Sequence, residues 1–185
     1  MNLTHSFLIA MPSLDDSFFG KGVILICEHN DEGAFGLLIN KPLDLTLREL
    51  LEQTGLTPTS NNTELEQPVF LGGPVQMERG FILHHGEAIW QASRPIMENL
   101  TLTTSRDILE AIATGEFNEK TFATLGYSGW GAGQLENELA DNAWLTVQAD
   151  LSIIFDVPPK ERHEAALRLL GVDPMFLWGG GAGHA

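Results

Sequence analysis

A chain with a single cysteine cannot close an internal disulfide, so packing alone must hold its 185 residues together. Cys27 lies inside the apolar run Val23-Ile24-Leu25-Ile26-Cys27 and is followed by Glu28, which suits a buried thiol in a reducing compartment better than a nucleophile. Long apolar runs are also missing: none approaches the roughly 20 residues of a membrane-spanning helix. The N-terminal stretch has no basic region, and Phe7 to Met11 is too short for a signal-peptide core, so a cytoplasmic location is expected, with no membrane partner. Basic residues are scarce. Ten Lys and Arg against 25 Asp and Glu leave a net charge of −15, and the few cations are scattered singly. Such a field repels phosphate backbones, so direct nucleic-acid binding is disfavoured.

What remains is a chain of ordinary globular composition, 43% apolar, with the length of one domain spanning 1–185. Val23–Cys27 and Ala34–Asn40 are apolar runs around the polar cluster His29 to Gly33, which predicts a β-hairpin. Both runs are continuous rather than alternating, so both faces of the hairpin are expected to be covered. Phe7 to Met11 predicts a neighbouring strand.

Thr46-Leu47-Arg48-Glu49 fits a capping box opening a short helix to about Gln53, which Gly55 ends. The polar segment Thr57 to Gln67 reads as a mobile surface loop. Strands are predicted at Val69–Leu71 and Phe81–Leu83 around the turn Gly72-Gly73-Pro74, at Ala88–Trp90 and at Leu100–Leu102. An amphipathic helix beginning near Ser105 ends at Gly115. Phe122 to Tyr127 reads as strand, Ser128 to Gly133 as a glycine-rich loop, and Gln134 to Asp141 as helix. Strands are then predicted at Trp144–Val147 and Ser152–Phe155. A last helix opens at Pro158-Pro159 and closes at Gly171, before a tail too glycine-rich for regular structure. No steady strand–helix alternation occurs, so the expected class is α+β: a mixed, curved or barrel-like sheet flanked by about four helices.

The candidate chemistry concentrates in the glycine-rich segment. Gly126-Tyr127-Ser128-Gly129-Trp130 approaches a nucleophile elbow but has Trp130 where the last glycine belongs, so Ser128 is read as a turn serine. Ser128, Gly129, Trp130, Gly131, Gly133 and Gln134 can instead form a nest of free amides at a helix start, suited to an anion or carbonyl. It is neither a Walker loop nor a dinucleotide fingerprint. Glu136 and Glu138 follow in the first turn and compete with a phosphate for the helix dipole. Gly72 and Gly73 of one turn, with Asn40 and Lys41 of another, could flank the same cleft. His84 and His85 point to opposite faces of a strand, and His29, sited in a polar turn, His163 and His184 match no metal-ligand spacing. No metal or cofactor is expected.

Taken together, Phe7 to Pro12, Cys27 to Asn30, Gly36 to Pro42 (GLLINKP) and Phe70 to Val75 (FLGGPV) resemble the bacterial AlgH/YqgE family. So do Leu102 to Asp107, Leu125 to Glu136 (LGYSGWGAGQLE), Asn142 to Leu145 and the terminal Ala182 to Ala185. The resemblance covers almost the whole chain in order. It implies a single-domain α+β fold with a barrel-like sheet, and a regulatory role connected with alginate production. It brings no catalytic residue, and Ser128 stands where the family pattern has alanine. A regulator or adaptor that binds an unidentified protein or small molecule is therefore the expected function. The alternative is an enzyme or ligand-dependent switch at residues 128–134, and a DNA-binding transcription factor is the least favoured.

Overall fold

Residues 1–179 are described by a computed structural model of the chain. Of the tail expected to lack regular structure, Trp178 and Gly179 close a π-helical turn (Met175–Gly179), and the rest, with His184, lies outside the described residues. Apolar runs that alternate between two buried faces build the centre of the molecule. In β1 (Ser6–Ala10) and β2 (Val23–Asn30), Phe7, Ile9, Val23 and Leu25 enter one core, while Leu8, Ala10, Ile24 and Ile26 enter another on the opposite face. A strand buried on both faces needs no polar alternation, which is why these runs read as continuous.

β3 (Gly33–Leu38) returns from β2 through a turn at Asp31-Glu32, shorter than expected. His29 therefore lies on β2, where it is buried rather than in the turn. The expected strand end at Asn40 also moves back, because Asn40 is drawn out of line: its Oδ1 accepts from Val23 N (2.9 Å) and its Nδ2 donates to Lys21 O (2.8 Å).

β4 (Pro42–Thr46) leads into α1 (Leu47–Gln53), opened by the expected capping box of Thr46 and Glu49. The polar segment that follows is not loop throughout. A 3-10 turn forms at Thr63–Glu66, and Leu65 is wholly buried within it, in the core beneath α1. β5 (Pro68–Leu71) and β6 (Val75–His84) follow, then β7 (Ser93–Met97), β8 (Leu100–Thr103) and α2 (Arg106–Thr114). The strand expected at Ala88–Trp90 forms instead at Ser93–Met97. Ser93 Oγ bonds both Trp90 N and Trp90 O, folding the earlier segment into a turn.

β9 is the largest departure. It runs without a break from Thr121 to Gly131, so the expected loop at 128–133 is mostly strand, paired with β3 from Ser128 to Gly131. α3 (Gln134–Ala140) and β10 (Trp144–Gln148) agree with expectation. Ser152–Phe155 does not: it belongs to α4 (Leu151–Phe155), because Asp150 caps a helical turn by accepting from Ser152 N at 2.9 Å. α5 (Arg162–Leu169) starts after a 3-10 turn at Pro159–Glu161, and Gly171 turns the chain with φ of 72°.

The ten strands of the described residues form one sheet that curls into a half-barrel, ordered β10-β1-β2-β3-β9-β6-β8-β7, with β5 on β9 and β4 on β5. Every pairing is antiparallel except β5 with β9. The architecture is thus the expected α+β domain with a mixed, curved sheet and four helices of seven or more residues. α4 and α5 pack on one face; α3 packs on the other, and α1 and α2 cover the β6 and β9 end.

Candidate ligand-binding cleft

β5 and β6 are consecutive in the chain, yet they lie on opposite edges of β9, so the segment between them must pass over that strand. Gly72-Gly73-Pro74 makes the passage. A Cβ on Gly73 would stand 2.1 Å from the Tyr127 carbonyl carbon, and one on Gly126 would stand 2.5 Å from Gly73 O. Gly126 also carries φ of 77°, which an L side chain resists. Backbone crosses backbone here, and only glycine leaves the room.

The crossing brings Ser128 to Gly72, as a shared site would require, but as packing. Ser128 is fully buried and its Oγ donates to Gly72 O at 3.1 Å. Downstream, Phe35 pairs with Gly129 and Gly33 with Gly131 across the β3–β9 ladder, and Gly131 N donates to Gln134 Oε1 at 3.0 Å. Gly133 takes the left-handed turn into α3 with φ of 75°. Trp130 is buried, and its indole N–H donates to Glu138 Oε1 (3.0 Å), the oxygen that also accepts from Trp144 Nε1 (2.9 Å). The carboxylate thus serves the fold, tying β9, α3 and β10 together. Asn40 and Lys41 do not join Gly72 and Gly73 in one cleft. Lys41 O accepts from Leu71 N, while both side chains face the Gly20–Lys21 turn, where Lys41 Nζ donates to Gly20 O at 2.7 Å.

The other face of β9 opens to solvent. With Ser128 and Trp130 directed inward, alternation presents Tyr127, Gly129 and Gly131 outward. Gly129 has no side chain, so the Tyr127 ring leans across it, with Cε2 3.3 Å from where a Cβ would stand. The ring lies 5.1 Å from Phe35 and 5.8 Å from Phe81. The ring thus covers backbone that Gly129, two residues on along the same strand, leaves bare.

These three rings floor a cleft of about 570 Å³ whose walls carry Arg79, Arg94, Glu28 and Ser93. Its size falls within the range of about 300–1,000 Å³ typical of small-molecule sites. The Arg79 guanidinium stands 5.1 Å over the Phe81 ring and, among the described residues, pairs with no carboxylate. Arg94 reaches Glu28 at 3.3 Å across the cleft mouth. Neither arginine stood out in the sequence, because each is isolated there; only the curl of β6, β7 and β8 brings both to one cleft. Phe35, Gly129 and Tyr127 did carry a readable signal, an aromatic-and-glycine alternation on two apolar strands.

Cys27, His84 and His29 are committed to the fold. Burial pushes the Cys27 thiol up to about 12, which removes thiolate chemistry at neutral pH. Burial also pulls His84 below its ordinary range. Its Nδ1–H faces the His85 carbonyl at 2.8 Å, so Nε2 accepts the Thr103 hydroxyl at 2.7 Å. His29 Nδ1 accepts from Leu3 N at 3.0 Å, and its Nε2 lies 3.3 Å from Glu136 Oε1, within ion-pair reach but off the line of a hydrogen bond. Among the described residues no group of three His, Cys, Asp or Glu side chains converges to hold a metal.

The AlgH-like protein family matches residues 7–175. A UPF0301 protein of Laribacter hongkongensis is 51% identical over 183 residues, covering 99% of this chain and 97% of that protein. One from Thioalkalivibrio sulfidiphilus is 53% identical over 184 residues, covering 100% and 97%. The solution structure of the AlgH protein from Pseudomonas aeruginosa superposes with a TM-score of 0.81 at 46% identity, over 100% of this chain and 97% of that one. A crystal structure of a Corynebacterium diphtheriae protein, 18% identical, shares the fold at a TM-score of 0.68, covering 90% and 86%. With a matching sequence profile along most of its length, close relatives over all of it and the same curled sheet, the chain belongs to the AlgH-like family.

Proposed function

We propose that this protein is a cytoplasmic regulator that binds a small organic anion in the aromatic cleft on β9. The carrying observation is the pairing of two arginines, Arg79 and Arg94, with a floor of Phe35, Phe81 and Tyr127. Guanidinium groups offer bidentate hydrogen bonds to a carboxylate, and the rings offer a flat apolar bed, so the fitting ligand is a planar carboxylate. In a chain of net charge −15, such a site selects its ligand by local contacts rather than by the overall field. Any effect on gene expression is then indirect, exerted through the liganded protein on a partner, since the same charge opposes contact with DNA. The alternative of a ligand-dependent switch at residues 128–134 adjoins this reading, because the Tyr127 ring that lines the cleft lies against Gly129.

The chain has one tyrosine, which makes the test direct. Protein carrying 13C-labelled tyrosine gives a single ring signal, to be titrated with benzoate and indole-3-carboxylate. A saturable shift is expected, weakened about tenfold or more in Arg79→Ala, the cost of one charge-assisted bond. An unmoved signal at millimolar ligand, or equal binding by the variant, would sink the proposal.

A further inference from the structure

Three of the four lysines, Lys21, Lys41 and Lys160, line a second cleft of about 420 Å³ at the β2, β3 and α5 end, far in sequence from one another. Among the described residues Glu164 is the one carboxylate in that lining, which also includes His163 and Trp178. Asp15, close by, accepts from Trp178 Nε1 at 2.6 Å. In a chain with 25 acidic and 10 basic residues, an opening with three ammonium groups against one carboxylate reverses the charge of the surroundings.

Two of the lysines are also held, Lys21 by its backbone and Lys41 by its ammonium group. Lys21 sits in the left-handed region with φ of 54°, unusual for a residue with a side chain, and the Asn40 amide pins that turn between Val23 N and Lys21 O. Lys41 spends one of its three donors on Gly20 O at 2.7 Å, which anchors the ammonium and leaves two donors for another acceptor. Lys21 Nζ stands 5.9 Å from the Trp178 ring, whose edge meets His163 at 4.8 Å.

We infer that this cleft binds a phosphorylated small molecule, its phosphates among the three ammonium groups and its organic body toward Trp178 and Met175. Lysines act as point charges that suit phosphate, and the volume exceeds what a bare phosphate fills. Lys21 and Lys160 are exposed, so replacing them leaves the core intact.

Calorimetric titration of the full chain with ADP and with pyrophosphate tests the inference. Saturable ADP binding is expected, weakened about tenfold or more in the Lys21→Ala/Lys160→Ala double variant. Lys120→Ala, whose lysine pairs with Asp156 elsewhere, should bind as the wild type does, and so should Arg79→Ala, which separates this site from the aromatic cleft. Failure of both probes to saturate by millimolar concentration, or equal loss in Lys120→Ala, overturns the phosphate site. ADP binding no tighter than pyrophosphate overturns the place given to the organic body.

Discussion

Ser128 illustrates how one side chain can carry a catalytic pattern and a structural role at once. Its hydroxyl is wholly buried and donates to Gly72 O, a carbonyl that also accepts from Leu38 N at 2.8 Å. Replacing it with alanine leaves that carbonyl paired, so Ser128→Ala should cost about 1 kcal/mol in urea unfolding, with ligand binding on the far face unchanged. A loss well beyond that, or a native hydroxyl that reacts with a fluorophosphonate, would contradict the packing role. At this scale the sequence was informative about residue type and mute about purpose. The glycines of 126–133 were visible as a cluster, but whether a missing side chain admits a ligand or another strand depends on what lies above it. Gly73 and Gly126 admit each other's backbones; Gly129 admits the Tyr127 ring.

The elements were legible where local chemistry decides them and illegible where tertiary pairing does. The capping box at Thr46 and Glu49, the left-handed Gly115 that ends α2 and the doubly buried β1 and β2 follow from local pattern, and each formed as expected. Ser152-Ile153-Ile154-Phe155 has strand composition, yet the Asp150 cap outweighs β-branching over so short a run. β9 reads as a loop after Tyr127 because glycine is a poor strand former; β3 supplies the ladder that keeps it extended. The crossing is where an element is most exposed to damage. Gly126→Ala combines a strained φ with a Cβ 2.5 Å from Gly73 O, and neither strand can withdraw without breaking its pairing with β9 or β6. A loss of about 3 kcal/mol or more is expected, read as a lowered urea midpoint or as insoluble protein. The same substitution at Gly131, where a Cβ meets nothing within 4 Å, is the control and should be tolerated.

For the molecule as a whole, buried histidines set the response to acid. His84 and His163 both titrate below the ordinary 6.5, chiefly through burial, so the unfolded chain takes up protons before the folded one does. Their contribution to stability is complete above about pH 6.5 and is lost as the pH falls through their folded values. Urea unfolding should therefore show declining stability from pH 7 to pH 5, with a shallower decline in His84→Gln. A flat or rising profile would refute the assignment. Asp107 and Glu136, held below the usual carboxylate range by the Ser105 hydroxyl and by backbone N–H bonding respectively, extend the decline to lower pH. Fold class and family were open to the sequence because they rest on patterns spread along the whole chain. The two clefts were not: each gathers residues from distant parts of the chain, and spacing has no means of recording that.

The passage of the chain over β9 bears on how the molecule is made. β5 and β6 emerge during synthesis some fifty residues before the strand they flank, and β3, too, waits for it. Until β9 slots between them, the nascent chain is two incomplete half-sheets with unsealed edges, vulnerable to strand exchange with another copy and to holdase capture. β9 is in effect a keystone set late, with β10 still to follow at the outer edge, and a chain truncated before Thr121 would lack the seam that joins its halves.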